Sequence, residues 1–189
     1  VSSDAVNIST NISGNLLTLT PALNFNGSAN IMVTVSDGTG GPSPEMFTLT
    51  VSPVNDVPVL TAIADATTQE DVAVELSLTA TDVDGDAVTY TAVSSDAVNV
   101  STNISGNLLT LTPALNFNGS ATISVTANDG TEDSNTEAFT LTVSPVNDAP
   151  VLSAIANVST EEEVVVELTL SATDVDGDAV TYTAVSSDA

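Results

Sequence analysis

An internal repeat with a spacing of 92 residues dominates the sequence. Residues 1–60 return as residues 93–152 with about four positions in five identical, and residues 61–92 return as residues 153–184. The last five residues, 185–189, begin a further copy. Self-similarity at a fixed period is typical of tandem arrays. We therefore expect the chain to be a window of about two periods from a longer array.

Two proline-containing segments, Ser52–Pro58 and Ser144–Pro150, are the predicted boundaries between domains. Each carries two prolines five residues apart, which disfavours both a helix and a central strand and suits a short linker. With this register, residues 55–146 form one complete domain. Residues 1–54 are then the C-terminal part of a preceding repeat, and residues 147–189 are the N-terminal part of the next.

Short segments with alternating apolar and polar residues predict strands within the complete domain. Residues 72–78 alternate cleanly, which places Val72, Val74, Leu76 and Leu78 on one face. The other predicted strands are residues 87–93, 107–112, 121–127 and 138–144, with weaker ones at 59–63 and 97–101. Residues 105–107 predict a hairpin turn, and no segment has a helical period. The predicted fold is all-β, with tandem seven-stranded Greek-key β-sandwiches of immunoglobulin/cadherin-like architecture.

The charge balance excludes several classes of function. The chain has 25 acidic residues and no Lys, Arg, His or Cys. Nucleic-acid binding depends mostly on Lys and Arg and is therefore excluded, and no apolar run approaches the roughly 18 residues of a membrane-spanning helix. The acids recur in solvated loops, whereas a catalytic acid needs an apolar pocket to raise its pKa, so we expect no enzyme activity. A formal charge of −25 opposes compaction, and an external cation is expected to offset it.

The acidic residues cluster in loops. Residues 82–86 read Asp-Val-Asp-Gly-Asp and recur as residues 174–178, and further acids lie at Glu70-Asp71, Asn128-Asp129 and Asn147-Asp148. Calcium takes six to eight oxygen ligands, which clustered carboxylates supply. An EF-hand is excluded by spacing, because that loop needs Gly at its sixth position and Glu at its twelfth. The loops therefore predict a calcium site of another kind.

The order Glu70, Asp82-Val83-Asp84, Asn128-Asp129-Gly130, Asn147-Asp148-Ala149-Pro150 resembles a cadherin repeat. More specifically, it is similar to the cadherin-like tandem repeats of very large bacterial surface adhesins (the RTX or biofilm-type extender domains). The resemblance implies calcium at the junctions between consecutive domains. The ligands that it implies at the first junction are Asn55, Asp56, Asp82, Asp84 and Asp129. Those that it implies at the second junction are Glu70, Asn147, Asp148, the carbonyl of Ala149, Asp174 and Asp176.

Two departures from the family pattern reduce the number of ions expected. The acidic triplet of the family is replaced by Asn116-Phe117-Asn118, and its first linker acid is replaced by Pro145. We therefore expect one or two calcium ions at each junction rather than three.

The repeat and the resemblance together predict a calcium-stiffened extender of a large extracellular adhesin at the cell surface. Its partners would be the neighbouring repeats of the same chain, and no membrane insertion is expected. One alternative is a filament subunit, in which residues 147–189 of one copy complete residues 1–54 of another by strand addition. A second alternative is a carbohydrate-binding or homophilic adhesion module, which the absence of Trp and the presence of only two Tyr disfavour.

Overall fold

The computed structural model describes residues 1–41 and 43–187. The predicted partial repeats also cover residues 42, 188 and 189, which lie outside the described residues. All regular elements of the described part are strands. Among the described residues there is no helix that is long and apolar enough to cross a membrane. The strands are β1 Ile8–Ser13, β2 Leu16–Pro21, β3 Gly27–Val35, β4 Ser43–Val51, β5 Val59–Leu60, β6 Ala66–Gln69, β7 Val74–Ser77, β8 Ala80–Thr81, β9 Thr89–Ser94, β10 Val100–Ser105, β11 Leu108–Pro113, β12 Gly119–Asn128, β13 Asp133–Ser144, β14 Val151–Leu152 and β15 Ala172–Thr173.

The chain divides into two compact units. Unit 1 consists of Val1–Thr61, Thr79–Thr91 and Thr126–Thr136. Unit 2 consists of Ala62–Leu78, Ala92–Val125 and Glu137–Ala189.

Unit 1 contains three antiparallel strand pairs, β1–β2, β3–β4 and β5–β8. Strand β3 alternates, so Ala29 and Ile31 are buried while Asn30 between them is exposed. These two residues form a core cluster with Ile8 of β1. Leu17, Leu19, Phe25, Val33, Leu49 and Val51 pack against that cluster. The core is thus mainly aliphatic, because the chain supplies only six aromatic residues.

Unit 2 holds most of a sandwich of two sheets. The first sheet has the order β10-β11-β7, and the second, most of which lies in unit 2, has the order β6-β13-β12-β9. Strand β6 runs parallel to β13, with Leu141 opposite Ala66. One face of the main strands is buried, and its buried residues are Val100, Leu109, Leu111, Ala121, Ile123, Val125, Phe139, Leu141 and Val143. The two sheets together hold seven strands, the number that the sequence predicts, but β6 is among them in place of the strand predicted at residues 59–63. That predicted strand is the two-residue strand β5, which pairs with β8.

Three details of the strand prediction are wrong, and each has a local cause. The weak strand predicted at residues 97–101 is instead β10, because Asp96 accepts a hydrogen bond from the backbone N–H of Asn99 and so begins a turn. Val72 was predicted to face the core but is exposed, since the chain turns at Asp71 with a φ of 63°. Strands β6 and β8 were missed because four and two residues are too few to show a period.

The predicted hairpin turn is confirmed between β10 and β11. Ser105 lies opposite Leu108, which leaves a two-residue loop. The first loop residue, Gly106, has a φ of 62°, which only glycine adopts without a steric cost.

Candidate metal centre

The first acidic cluster consists of Asp82, Asp84 and Asp86 in unit 1, whose carboxylate oxygens lie within 4.8 Å of one another. Asp82 shapes this loop, because its Oδ1 accepts hydrogen bonds from the backbone N–H groups of Asp84 and Asp86, both at 3.0 Å. Gly85 has a φ of 82°, which allows the chain to turn between them. The other oxygen of Asp82, Oδ2, is buried and has no hydrogen-bond partner among the described residues. A buried charged oxygen without a partner is costly, so this atom fits a cation ligand.

The linker before this loop is hydrogen-bonded to it. The backbone N–H of Asp56 donates to Asp84 Oδ2 at 2.8 Å, and Asn55 Nδ2 donates to Asp129 Oδ2 at 3.0 Å. Asp129 is buried. Hydrogen bonds from the backbone N–H of Glu132 and from the side chain of Asn55 lower the pKa of Asp129 and keep it ionised.

The second acidic cluster consists of Glu70, Asp148 and Asp176 in unit 2, with carboxylate oxygens again within 4.8 Å of one another. Glu70 is buried, and its Oε1 accepts a short hydrogen bond from the backbone N–H of Val146. The backbone N–H of Asp148 donates to Asp176 Oδ2 at 2.7 Å. Asp174 shapes this loop as Asp82 shapes the first, because its Oδ1 accepts from the N–H groups of residues 176 and 178, both at 3.1 Å.

The electrostatics of the second cluster favour a bound cation. Partial desolvation raises the pKa of Asp148, and the negative charges of Asp176, Glu70, Asp71 and Asp174 raise it further. No Lys, Arg or His exists in the chain to offset these charges. A divalent ion would remove the repulsion that raises this pKa.

The structure brings together some of the predicted ligands and separates others. Asp82 and Asp84 lie together, as do Glu70, Asp148 and Asp176, and Ala149 lines the same cleft as Asp148 and Asp174. Asp129 is not among the carboxylates within 4.8 Å of one another at the first cluster. Its Oδ2 accepts a hydrogen bond from Asn55, and its Oδ1 accepts hydrogen bonds from the backbone N–H groups of Thr131 and Glu132. Asn147 directs its side-chain amide at the carbonyl of Asp148, at 2.9 Å.

Three residues at these sites stand outside the ligand sets that the resemblance implies. Asp86 completes the first cluster, although it was visible as the third acid of its loop. Asp71 Oδ1 accepts a hydrogen bond from the backbone N–H of Asn116 at 2.8 Å, and Asn116 lines the cleft of Asp148. Asp71 follows Glu70 directly, and Asn116 stands where the family has an acid, so both signals were present in the sequence.

A cleft lined by equivalent positions of the repeat lies beside each linker. The lining in unit 1 is Asn24, Asp56, Val57, Val59, Thr81, Asp82 and Val83. The lining in unit 2 is Asn116, Asp148, Ala149, Val151, Thr173, Asp174 and Val175, each 92 residues later. The arrangement is therefore a property of the repeat and occurs twice.

The donor set of both clusters suits a hard cation. Each cluster offers three carboxylates, and carboxylate oxygens are among the ligands that calcium takes. The absence of His and Cys from the chain removes the ligands that zinc and copper prefer.

Comparisons with known proteins agree with this fold. The family model described as "Bacterial Ig domain" matches residues 55–142. The human CDH23 EC21-23 structure is 19% identical with a TM-score of 0.53, and covers 92% of this chain and 62% of its own. The human Protocadherin-24 EC1-2 structure (form II) is 17% identical with a TM-score of 0.51, and covers 76% of this chain and 80% of its own. At these identities the likeness shows the fold alone.

One curated relative is a large enzyme. Chitinase A of Pseudoalteromonas piscicida is 31% identical over 111 residues, which are 58% of this chain and 13% of the chitinase. The match thus spans a small part of that protein. Together, the family match and the structural likeness confirm the predicted fold class: the chain contains an immunoglobulin/cadherin-like β-sandwich repeat.

Proposed function

We propose that this chain is a calcium-stiffened extender segment of a large extracellular protein, in which it holds a terminal binding module away from the cell surface. The observation that carries the proposal is the composition of the second acidic cluster. Glu70 precedes the linker Ser144–Pro150, Asp148 lies in it and Asp176 follows it, yet their carboxylates lie within 4.8 Å of one another. An ion held by these residues would tie both sides of the linker together.

Repulsion between like charges explains why the ion would switch the linker between a flexible and a stiff state. Without an ion, the three carboxylates repel one another across the linker, and Pro145 and Pro150 limit only part of its backbone freedom. With calcium bound, the same charges become attractive contacts to one ion. The neighbouring repeats would then move as one body. Calcium is held loosely by many extracellular modules, so this role fits a secreted or surface location.

A second candidate is an accessory module of a secreted enzyme that degrades polysaccharides. The match to part of chitinase A favours it. Sedimentation of the chain with insoluble chitin, in calcium and in chelator, tests whether the module itself binds the polymer. Chain that sediments with chitin would support a carbohydrate-binding role. Chain that stays in the supernatant would indicate that such a module acts as a spacer in the enzyme.

Distance measurements between two spin labels test the extender function. The chain has no Cys, so labels can be placed at Leu115→Cys before the linker and Ala156→Cys after it, both at exposed positions. Labelled chain is diluted with unlabelled chain to remove distances between molecules. We expect a narrow distance distribution in calcium and a broad one in chelator.

The matched control replaces Asp176 by Asn in the doubly labelled chain. This change removes one carboxylate of the second cluster, and the distribution should stay broad in calcium. Sodium chloride at the same ionic strength controls for simple screening of charge. Equal widths in calcium and chelator would refute the extender mechanism.

A further inference from the structure

Two strands of the complete repeat run side by side in the same direction. Strand β6 follows the first linker and the short strand β5, whereas β13 leads directly into the second linker. The two strands pair in parallel over four residues, from Leu141 opposite Ala66 to Ser144 opposite Gln69. The chain therefore enters this parallel ladder at one end and leaves it at the other.

Further hydrogen bonds lengthen the ladder at both ends, within unit 2. At the end where β6 begins, the backbone N–H of Thr140 donates to Asp65 Oδ1 at 2.7 Å. At the other end, the N–H of Glu70 donates to the carbonyl of Ser144 at 2.9 Å, and Glu70 Oε1 accepts from the N–H of Val146. Hydrogen bonds to ionised carboxylates are stronger than those between neutral groups. A carboxylate thus fastens each end of the ladder.

The parallel direction decides how the ladder would meet tension along the chain. Tension pulls the beginning of β6 one way and the end of β13 the other way, so the force runs along both strands. The bonds of a parallel pair are evenly spaced along the strands, so they share the load and must break together. While they hold, the chain between the two strands carries no tension.

We infer that the β6–β13 ladder bears the load when the chain is under tension and so protects the sandwich from unfolding. The inference deepens the proposed extender function, which supplies the tension, but it concerns resistance to force rather than stiffening by calcium. Strand β5 lies earlier on the same path and pairs with β8 over two residues only, so it should part first. Asp65 belongs to neither acidic cluster, and its end of the ladder needs no ion.

Single-molecule pulling on the whole chain in chelator tests the direction of loading. The chain has no Cys, so handles can be attached at Ala62→Cys and Val146→Cys, which load the ladder at opposite ends. Handles at Val72→Cys and Val146→Cys load it at one end only and should peel it pair by pair. All three positions are exposed. At equal force, the opposite-end handles should give a lifetime about ten-fold longer or more, the factor that one or two additional hydrogen bonds in the barrier supply. Equal lifetimes would overturn the inference.

Two variants then separate the ladder from general stability, with the opposite-end handles in place. Asp65→Ala removes the acceptor of the Thr140 N–H and should shorten the lifetime about two- to ten-fold, because forced unfolding follows the unfolding rate. Asp96→Ala is the matched control: it also removes one carboxylate and its hydrogen bonds to Asn99, but in a turn before β10 that lies off the ladder. Urea unfolding of both variants measures their equilibrium stability, and at equal loss of stability only Asp65→Ala should shorten the lifetime.

Equal shortening by the two variants, or no shortening by Asp65→Ala, would also overturn the inference. The pulling measurements are made without calcium, whereas the spin-label distances measure the effect of calcium on the linker. A failure of the load-bearing ladder is therefore distinguishable from a failure of the extender mechanism.

Discussion

Replacing Asp82 by Asn tests the first acidic cluster with little change of shape. The amide keeps an oxygen that can accept the two N–H bonds at 3.0 Å, so the loop should hold its form. The buried Oδ2, which has no partner among the described residues, becomes an NH₂ group that cannot bind a cation. The variant therefore removes a ligand and a charge while keeping the scaffold.

In chelator, the loss of a charge should leave this variant at least as stable as the unmodified chain. Repulsion from Asp84 and Asp86 at separations up to 4.8 Å is about 0.9 kcal/mol per pair in water, and its loss stabilises the fold. The new buried NH₂ group costs about 1–3 kcal/mol when it lacks an acceptor, but it replaces a charged oxygen that also lacks a partner and is more costly to bury. The melting temperature in chelator should therefore equal or slightly exceed that of the unmodified chain.

Calcium should raise the melting temperature of the unmodified chain more than that of the Asp82→Asn variant. For a site with a Kd of about 10 μM, calcium at about 1 mM adds roughly 2.7 kcal/mol to the free energy of unfolding. For a domain of this size, that gain corresponds to a rise of roughly 10–20 °C in melting temperature. Asp82→Asn should lose most of this rise at the first cluster.

Thermal melts followed by circular dichroism, with and without calcium, provide the assay. Glu75→Gln on the exposed face of β7 is the matched control, because it also removes one negative charge and lies outside both clusters. It should keep the full calcium-induced rise. If Asp82→Asn shows the same rise as Glu75→Gln, Asp82 is not a calcium ligand and the interpretation of its buried oxygen is wrong.

Two further predictions concern pH and packing. The raised pKa of Asp148 means that the folded state binds this proton more tightly than the unfolded state, so in chelator the stability falls as pH rises from the ordinary aspartate pKa of about 3.9 through the raised value. Asp148→Asn should remove that part of the fall, and parallel melting profiles of the two proteins between pH 4 and 7 would contradict it. Ile123→Ala should cost about 2–5 kcal/mol in urea unfolding, because Ile123 is fully buried on β12. The exposed neighbour Thr122→Ala should stay within about 0.5 kcal/mol, and equal losses would contradict the alternation of β12.

The sequence by itself determined the fold class and the positions of the long strands. Strands β11, β12 and β13 follow from alternation over six or more residues, because a period of two places every second side chain on the buried face. The turn at Gly106 could also be predicted from the sequence, because glycine adopts the required positive φ without strain. The acidic loop of residues 82–86 was equally visible, since its three acids lie within five consecutive residues.

Only the tertiary structure decided which of the acids meet. Glu70 and Asp176 are more than 100 residues apart in sequence, and pairing of distant strands brings them within 4.8 Å. Asp129 is a ligand expected on the family pattern, and the fold places its oxygens at hydrogen-bond distance from Asn55 and from N–H groups of its own loop. Local spacing cannot show the contact with Asn55, which lies 74 residues away in the sequence.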